Sequence, residues 1–279
     1  MKINVAKSAG FCFGVRRALK IALEVADSKA CVYMLGDIVH NEDVVGDIER
    51  SGIKKTKNLH KTKGKILLIR AHGTSKDILN KAKKLGYKII DATCPMVKEI
   101  HKIVKKQEEK SYKIIVIGDK DHDEVKGIAG QLKGKALVID NVRKVPASKF
   151  KKIKKAAVIA QSTQNIENVT KIVNKLKPLI DELKFFNTIC SPTSIKQKEA
   201  RALASKNDIM IIIGSKASAN TKRLYEISKS INKKTYWLNS KQDIKPEWFR
   251  NVKSVGITAG ASTPDSTTTE VVENIRNIT

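Results

Sequence analysis

Short apolar runs alternate with stretches of helical periodicity along almost the whole chain. Val32-Tyr33-Met34-Leu35, Ile66-Leu67-Leu68-Ile69, Lys88-Ile89-Ile90, Ile114-Ile115-Val116-Ile117, Ala136-Leu137-Val138-Ile139, Ala156-Ala157-Val158-Ile159, Ile209-Met210-Ile211-Ile212-Ile213, Tyr236-Trp237-Leu238 and Val255-Gly256-Ile257-Thr258 are strand-sized. Between them, Val15, Ala18, Leu19, Ala22, Leu23 and Ala26 share one helical face, as do Val44, Val45 and Ile48, and then Ile78, Leu79, Ala82 and Leu85. Strand runs alternating with helices predict an α/β chain whose mainly parallel sheets are covered by helices. The arrangement repeats about three times. The units it predicts are 14–94, 95–190 and 191–279, the last joined by 1–13.

In open α/β sheets, ligands lie beyond the carboxyl ends of the strands, against helix N-termini. The polar residues suited to chemistry fall at such junctions: His40, His72, His122, Glu124, Ser162, Thr163, Ser218, Asn220 and Ser262. If three units face their carboxyl edges inward, these groups meet at one centre.

Three cysteines share the same setting. Cys12 in Gly10-Phe11-Cys12-Phe13-Gly14, Cys94 in Asp91-Ala92-Thr93-Cys94-Pro95 and Cys190 in Thr188-Ile189-Cys190-Ser191-Pro192 each stand at a helix entrance. Unpaired N–H groups and the positive helix end favour a thiolate there by about 0.3–1 kcal/mol, and the thiolate is the form that ligates metal. Cys31 differs: it leads Val32-Tyr33-Met34-Leu35 and reads as a small buried hydrophobe in a strand. No CxxC pair is present, which argues against a zinc ribbon or a disulfide framework. Three thiolates from separate units fit an iron–sulfur cubane with one open, Lewis-acidic iron. A structural zinc held by three Cys and one His is the alternative that spacing leaves open.

Composition changes this picture in two ways. With 279 residues, 41% of them apolar, the chain is long enough for a sizeable core, while no apolar run approaches the ~18 residues of a membrane span. Arg16, Arg17 and Lys20 interrupt any N-terminal signal-like stretch, so a cytoplasmic protein is expected. The net charge of +27 suggests nucleic acid, and a basic nucleic-acid-binding protein with a structural Cys-ligated metal is the competing function. Yet lysines such as Lys81, Lys83, Lys84, Lys105 and Lys106 are spread over the helical segments and aromatics are few. That distribution fits a solvated surface able to steer small anions or an acidic protein partner.

Asp119, Asp121 and Asp123 imitate the first ligands of a calcium loop, but Glu124 replaces the turn glycine and Gly130 the bidentate glutamate. No Walker A or GxGxxG sequence occurs, so any phosphate must be held by hydroxyls, imidazoles and helix N-termini. His60 and His101, among lysines, read as structural or solvated.

The segments AGFCFGVRRAL, GDIVHN, RAHGT, DATCP, HDEVKG, QST, TIC, GSKASANT and TAGAST, in that order, resemble the 4-hydroxy-3-methylbut-2-enyl diphosphate reductases, the LytB family. Each is weak alone; together they span essentially the whole chain. The resemblance implies a trefoil of three α/β units around a central [4Fe-4S] cluster held by Cys12, Cys94 and Cys190. It implies reductive removal of the substrate hydroxyl, with two electrons and two protons, to give isopentenyl and dimethylallyl diphosphates in isoprenoid synthesis. His40, His72, Ser218, Asn220 and Ser262 would hold the diphosphate, with His122 nearby. Glu124 would handle protons, and Ser162 and Thr163 would contact the substrate hydroxyl or order Glu124. An acidic ferredoxin- or flavodoxin-like donor would be the partner, with no nucleic acid and no membrane. Ser162 stands where threonine is common, and Ala219 where serine is common, leaving that diphosphate contact to a backbone N–H.

Overall fold

In the computed structural model, which describes residues 1–28, 30–145, 147–150 and 152–278, one strand–helix pattern is built three times. The chain opens with β1 (Lys2–Val5) and α1 (Phe13–Ala26). The first repeat follows as β2 (Val32–Leu35), α2 (Glu42–Arg50), β3 (Lys54–Thr56), β4 (Ile66–Ile69), α3 (Lys76–Lys84) and β5 (Lys88–Asp91). After α4 (Pro95–Glu109), the second comprises β6 (Lys113–Ile117), α5 (Asp123–Ala129), β7 (Leu137–Ile139), α6 (Ala147–Phe150), β8 (Lys155–Ala160), α7 (Ile166–Leu176) and β9 (Glu182–Phe186). After α8 (Ser191–Lys206) come β10 (Ile209–Ile213), α9 (Ala219–Ile231), β11 (Thr235–Leu238), β12 (Ser254–Ala259) and α10 (Asp265–Ile278).

The three sheets have the orders β3-β2-β4-β5, β7-β6-β8-β9 and β11-β10-β12-β1. All pairings among the described strands are parallel, as the alternation predicts. Counted along each repeat the order is 2-1-3-4 every time. The third sheet completes it by taking its fourth strand from the amino terminus, with Ile3 in register with Val255 and Val5 with Ile257. The fourth strand is an edge in every sheet, and each edge strand leads to one of the three cysteines: β5 to Cys94, β9 to Cys190 and β1 to Cys12.

Period-2 side-chain alternation explains why the central strands read as unbroken apolar runs. In β10, Ile209, Ile211 and Ile213 face Val271, Val272 and Ile275 of α10, while Met210 and Ile212 face Ala200 and Ala204 of α8 and Leu224 of α9. Likewise Ile115 and Ile117 pack on Val169, Ile172, Val173 and Leu176 of α7, and Ile114 and Val116 on Ile100 and Val104 of α4 and on Val125 and Ile128 of α5. Each fully buried isoleucine or valine contributes about 1.5–3 kcal/mol. Edge strands β1 and β3 lack this signature: Lys54 and Lys55 of β3 are exposed, and the strand is held by parallel pairing with β2.

Two compact units result. Residues 1–16, 39–47 and 191–279 form one, containing the third sheet; residues 17–38 and 48–190 form the other, containing the first two sheets. Among the described residues, no helix is long and apolar enough to cross a membrane.

Cys31 departs from its expected place. It is exposed and lies just before β2, although its carbonyl still accepts a hydrogen bond from Ile66 N at 3.0 Å. The strand's alternation is the reason: Val32 and Met34 are the buried phase, and Cys31 shares the phase of the half-buried Tyr33 and Leu35 at the strand's frayed start.

Candidate active site

The sequence-selected residues occupy equivalent places in the three repeats. Junctions after the first strand carry His40, then His122 and Glu124, then Ser218, Ala219 and Asn220; loops after the third strand carry His72, then Ser162 and Thr163, then Ser262. The first and third strands are neighbours in each sheet. Their boundary is where the strand order reverses, the place where open α/β sheets bind ligands. The cysteines follow the fourth strand, and one backbone bond fixes each: Cys94 N donates to Ala71 O at 2.9 Å, Cys190 N to Ser162 O at 3.0 Å and Cys12 N to Ala261 O at 3.1 Å. In each case the acceptor lies in the loop after the third strand.

In the second compact unit, α5 is capped by His122, whose Nδ1 accepts from Glu124 N at 3.1 Å. A neutral imidazole accepting at Nδ1 carries its proton on Nε2. His72 meets His122 edge to face, with ring centroids 5.4 Å apart. Glu124 is buried, and both carboxylate oxygens are engaged by one residue: Oε1 accepts from Ser162 N and Oε2 from Ser162 Oγ, each at 2.7 Å. Burial raises the Glu124 pKa, and the two bonds from Ser162 offset part of that rise. Ser162 therefore joins the acid to the Cys190 turn, since its carbonyl holds Cys190 N. Its neighbour Gln161 accepts from Asp119 N at 2.9 Å and donates to Thr163 Oγ1 at 3.1 Å, so Thr163 belongs to the same loop scaffold.

Cys94 caps α4 ahead of Pro95, with no side-chain cap hydrogen bond of its own. Arg17 Nη1 donates to Thr93 O at 3.2 Å, and Asp91 accepts from Thr93 N at 2.9 Å, so the turn is tied on both sides.

In the first compact unit, Ser218 caps α9 by accepting from Thr221 N at 3.3 Å, and Ala219 and Asn220 form its first turn. Asn220 is 3% exposed, yet neither its amide nitrogen nor its oxygen has a partner among the described residues. Such a buried amide costs about 1–3 kcal/mol unless something pairs with it. Donors at a helix N-terminus suit an anion. Ser262 Oγ donates to His40 O at 2.9 Å, so this hydroxyl braces the His40 turn. Asn41 caps α2 by accepting from Val44 N at 3.1 Å.

Cys12, Cys94 and Cys190 are outside any disulfide, half-buried and each directly before a helix, and a thiolate is a soft metal ligand.

Arg70 and Lys196 escaped the sequence reading, and His101, read as structural or solvated, belongs with the structural residues. Arg70 pairs with Asp123 at 2.6 Å, and Gly36 at φ +76° leaves room for its guanidinium, since a Cβ there would lie 2.5 Å from Nη1. His101 lies half-buried against Gly73, its Nε2 without a partner among the described residues; burial, helped by Lys105, holds its pKa down at about 4. Lys196, 1% exposed, lies on the buried face of α8 with Thr193, Gln197, Ala200 and Ala204. That helical spacing was the signal for Lys196. His60, by contrast, is exposed.

Comparison with known proteins agrees with this architecture. The family described as LytB protein matches residues 3–276. The chain is 41% identical over 278 residues to the 4-hydroxy-3-methylbut-2-enyl diphosphate reductase of Geobacter metallireducens, covering 100% of this chain and 98% of that one. It is 40% identical to the enzyme of the same name from Aquifex aeolicus, covering 99% and 96%. A solved (E)-4-hydroxy-3-methyl-but-2-enyl diphosphate reductase, described as the terminal enzyme of the non-mevalonate pathway, superposes with a TM-score of 0.72 at 39% identity, covering 99% of this chain and 100% of its own. The E-1-hydroxy-2-methyl-but-2-enyl-4-diphosphate reductase of Plasmodium falciparum gives 0.89 at 32% identity, over 98% and 87%. With a family match over nearly every residue and relatives alike from end to end, this chain belongs to the LytB family.

Proposed function

We propose that this protein reduces 4-hydroxy-3-methylbut-2-enyl diphosphate to isopentenyl and dimethylallyl diphosphates. Two electrons and two protons enter, the allylic C–O bond breaks, and water leaves. The observation that carries this reading is the Glu124–Ser162–Cys190 connection, which ties a buried acid to one of three helix-entrance thiols through a single residue.

Cys12, Cys94 and Cys190, one from each repeat, would hold a [4Fe-4S] cluster, which when bound supplies electrons and a Lewis-acidic iron. The chain's own groups do the rest. Ser218, the backbone N–H of Ala219 and Asn220 would bind the diphosphate at the α9 N-terminus, with His40, His72 and Ser262 as further donors. His122 would add Nε2–H, the proton that its Nδ1 bond to Glu124 N assigns. Burial favours the protonated Glu124, the form needed to deliver a proton to departing hydroxyl. At 2.7 Å, Glu124 Oε2 and Ser162 Oγ exchange donor and acceptor roles as that proton moves. Thr163, held by Gln161, would border the same loop.

The net charge of +27 suits an acidic ferredoxin- or flavodoxin-like electron donor in a cytoplasmic setting. The test is anaerobic purification followed by turnover with a chemical reductant. Visible iron–sulfur absorbance and formation of both diphosphate products are expected. A colourless, iron-free protein that leaves the substrate intact would refute the reading.

A further inference from the structure

Lys196 has no part in the reading above, yet it is among the most completely buried long side chains of the described residues. It extends from α8 into the Cys12 turn. Its Nζ donates to Ser8 O, to Gly10 O at 2.8 Å and to Ala259 O at 3.1 Å. Glu199, one turn further along α8, accepts from Ser8 N at 3.0 Å and Ser8 Oγ at 2.6 Å. Gly10, at φ +94°, is locked as well, since a Cβ there would lie 2.1 Å from Asp265 Oδ1. One helix thus clamps the segment that presents Cys12.

Three carbonyls could be satisfied by neutral donors, and burying an ammonium costs several kcal/mol unless an anion compensates. Burial pushes the Lys196 pKa down to about 8, while Cys12, Glu199 and Asp265 act to raise it and Arg16 to lower it. Glu199 is engaged with Ser8, and Asp265 with Arg16 at 2.7 Å. Cys12, which as the cluster ligand proposed above would be bound as a thiolate, is the group whose charge the lysine would balance.

We propose that Lys196 is a positioning residue for Cys12: its three carbonyl bonds fix the turn, and its buried positive charge favours the reduced state of the group that Cys12 holds. This rests on Cys12 being a cluster ligand, as proposed above. A positive charge beside a thiolate ligand raises the reduction potential, because the reduced state carries one more negative charge.

The test uses anaerobically purified wild type, Lys196→Met, Lys196→Gln, Lys196→Arg and Ser8→Ala, which loosens the same turn without changing charge. Iron and sulfide per chain and the midpoint potential by spectroscopic redox titration are measured. Lys196→Met and Lys196→Gln should shift the reduction equilibrium about tenfold toward the oxidised state, a fall of about 59 mV for one electron. Lys196→Arg and Ser8→Ala should stay near wild type. Where the neutral variants do not retain a cluster, retention by Lys196→Arg alone supports the charge role. Loss in all three lysine variants overturns it, as do wild-type potentials in the neutral variants or an equal shift in Ser8→Ala. A wild type that binds no cluster defeats the ligand assignment itself, a result distinct from variants that are merely indifferent.

Discussion

The junctions β6–α5 and β10–α9 occupy the same place in successive repeats and have been given opposite chemistry. His122 and Ser218 are the respective caps, and Glu124 and Asn220 each stand two residues later. Glu124 is a buried carboxyl with both oxygens bonded to Ser162; Asn220 is a buried amide with neither polar atom bonded among the described residues. At the first helical turn, the acid's oxygens are taken up by Ser162, whereas the amide keeps its polar atoms available to an incoming anion. One junction is complete as folded and suited to proton transfer. The other would be completed by the proposed diphosphate.

The first way to break this comparison is to remove the proposed cluster ligands. Cys12→Ser, Cys94→Ser and Cys190→Ser should each abolish cluster and activity, while the exposed Cys31→Ser keeps both. Iron analysis of the four variants decides it; cluster loss in Cys31→Ser with retention in another would undo the assignment.

Next in size, Glu124→Gln should keep the cluster and substrate binding but lose at least ~100-fold in turnover, the lower range of general acid catalysis. Single-turnover rates with the substrate bound would expose the loss in the chemical step. Normal turnover would move the proton donor to His122 or to the Ser162 and Thr163 hydroxyls.

Asn220→Asp makes the second junction resemble the first. A carboxylate there should weaken diphosphate binding by about 10- to 100-fold, the worth of one hydrogen bond to a charged group plus repulsion, with the cluster unchanged. Calorimetric titration of the product diphosphate measures it, and unaltered affinity would remove Asn220 from the binding role.

A smaller effect concerns stability. Because burial raises the Glu124 pKa in the folded state, the folded chain holds that proton more tightly than the unfolded one. The resulting stabilisation is full below the ordinary value of 4.5 and is lost as pH rises through the raised value. Glu124→Gln lacks this dependence. Its Tm relative to wild type should therefore climb as pH increases above 4.5, and parallel Tm–pH curves would contradict the burial argument.

The smallest effect is at the surface. Turnover with an acidic protein donor should slow as salt rises, since screening sets in over about 10 Å at 0.1 M, whereas a small uncharged reductant should be nearly indifferent. Equal salt slopes would remove the docking role of the basic surface.

Much of this was legible in order along the chain. The central strands announced themselves because burial on both faces requires unbroken apolar runs, and the three cysteines stood out because packing gives little reason for cysteine in a Gly- or Pro-marked turn. Strands β1 and β3 did not, because an edge strand is held by backbone pairing and tolerates residues such as Lys54 and Lys55.

By itself, then, the sequence determined the α/β alternation, the junctions where polar groups collect and the three helix-entrance thiols, all of which are local properties of side-chain type and period. Only the tertiary structure decided that Cys31 faces outward, that Ser162 engages Glu124 across 38 positions and that Lys196 reaches Gly10 across 186. The physical reason is that periodicity reports which face of an element is buried, while partners so far apart are chosen by strand order. Here that order draws the amino-terminal strand into the last sheet, beyond the reach of any local pattern.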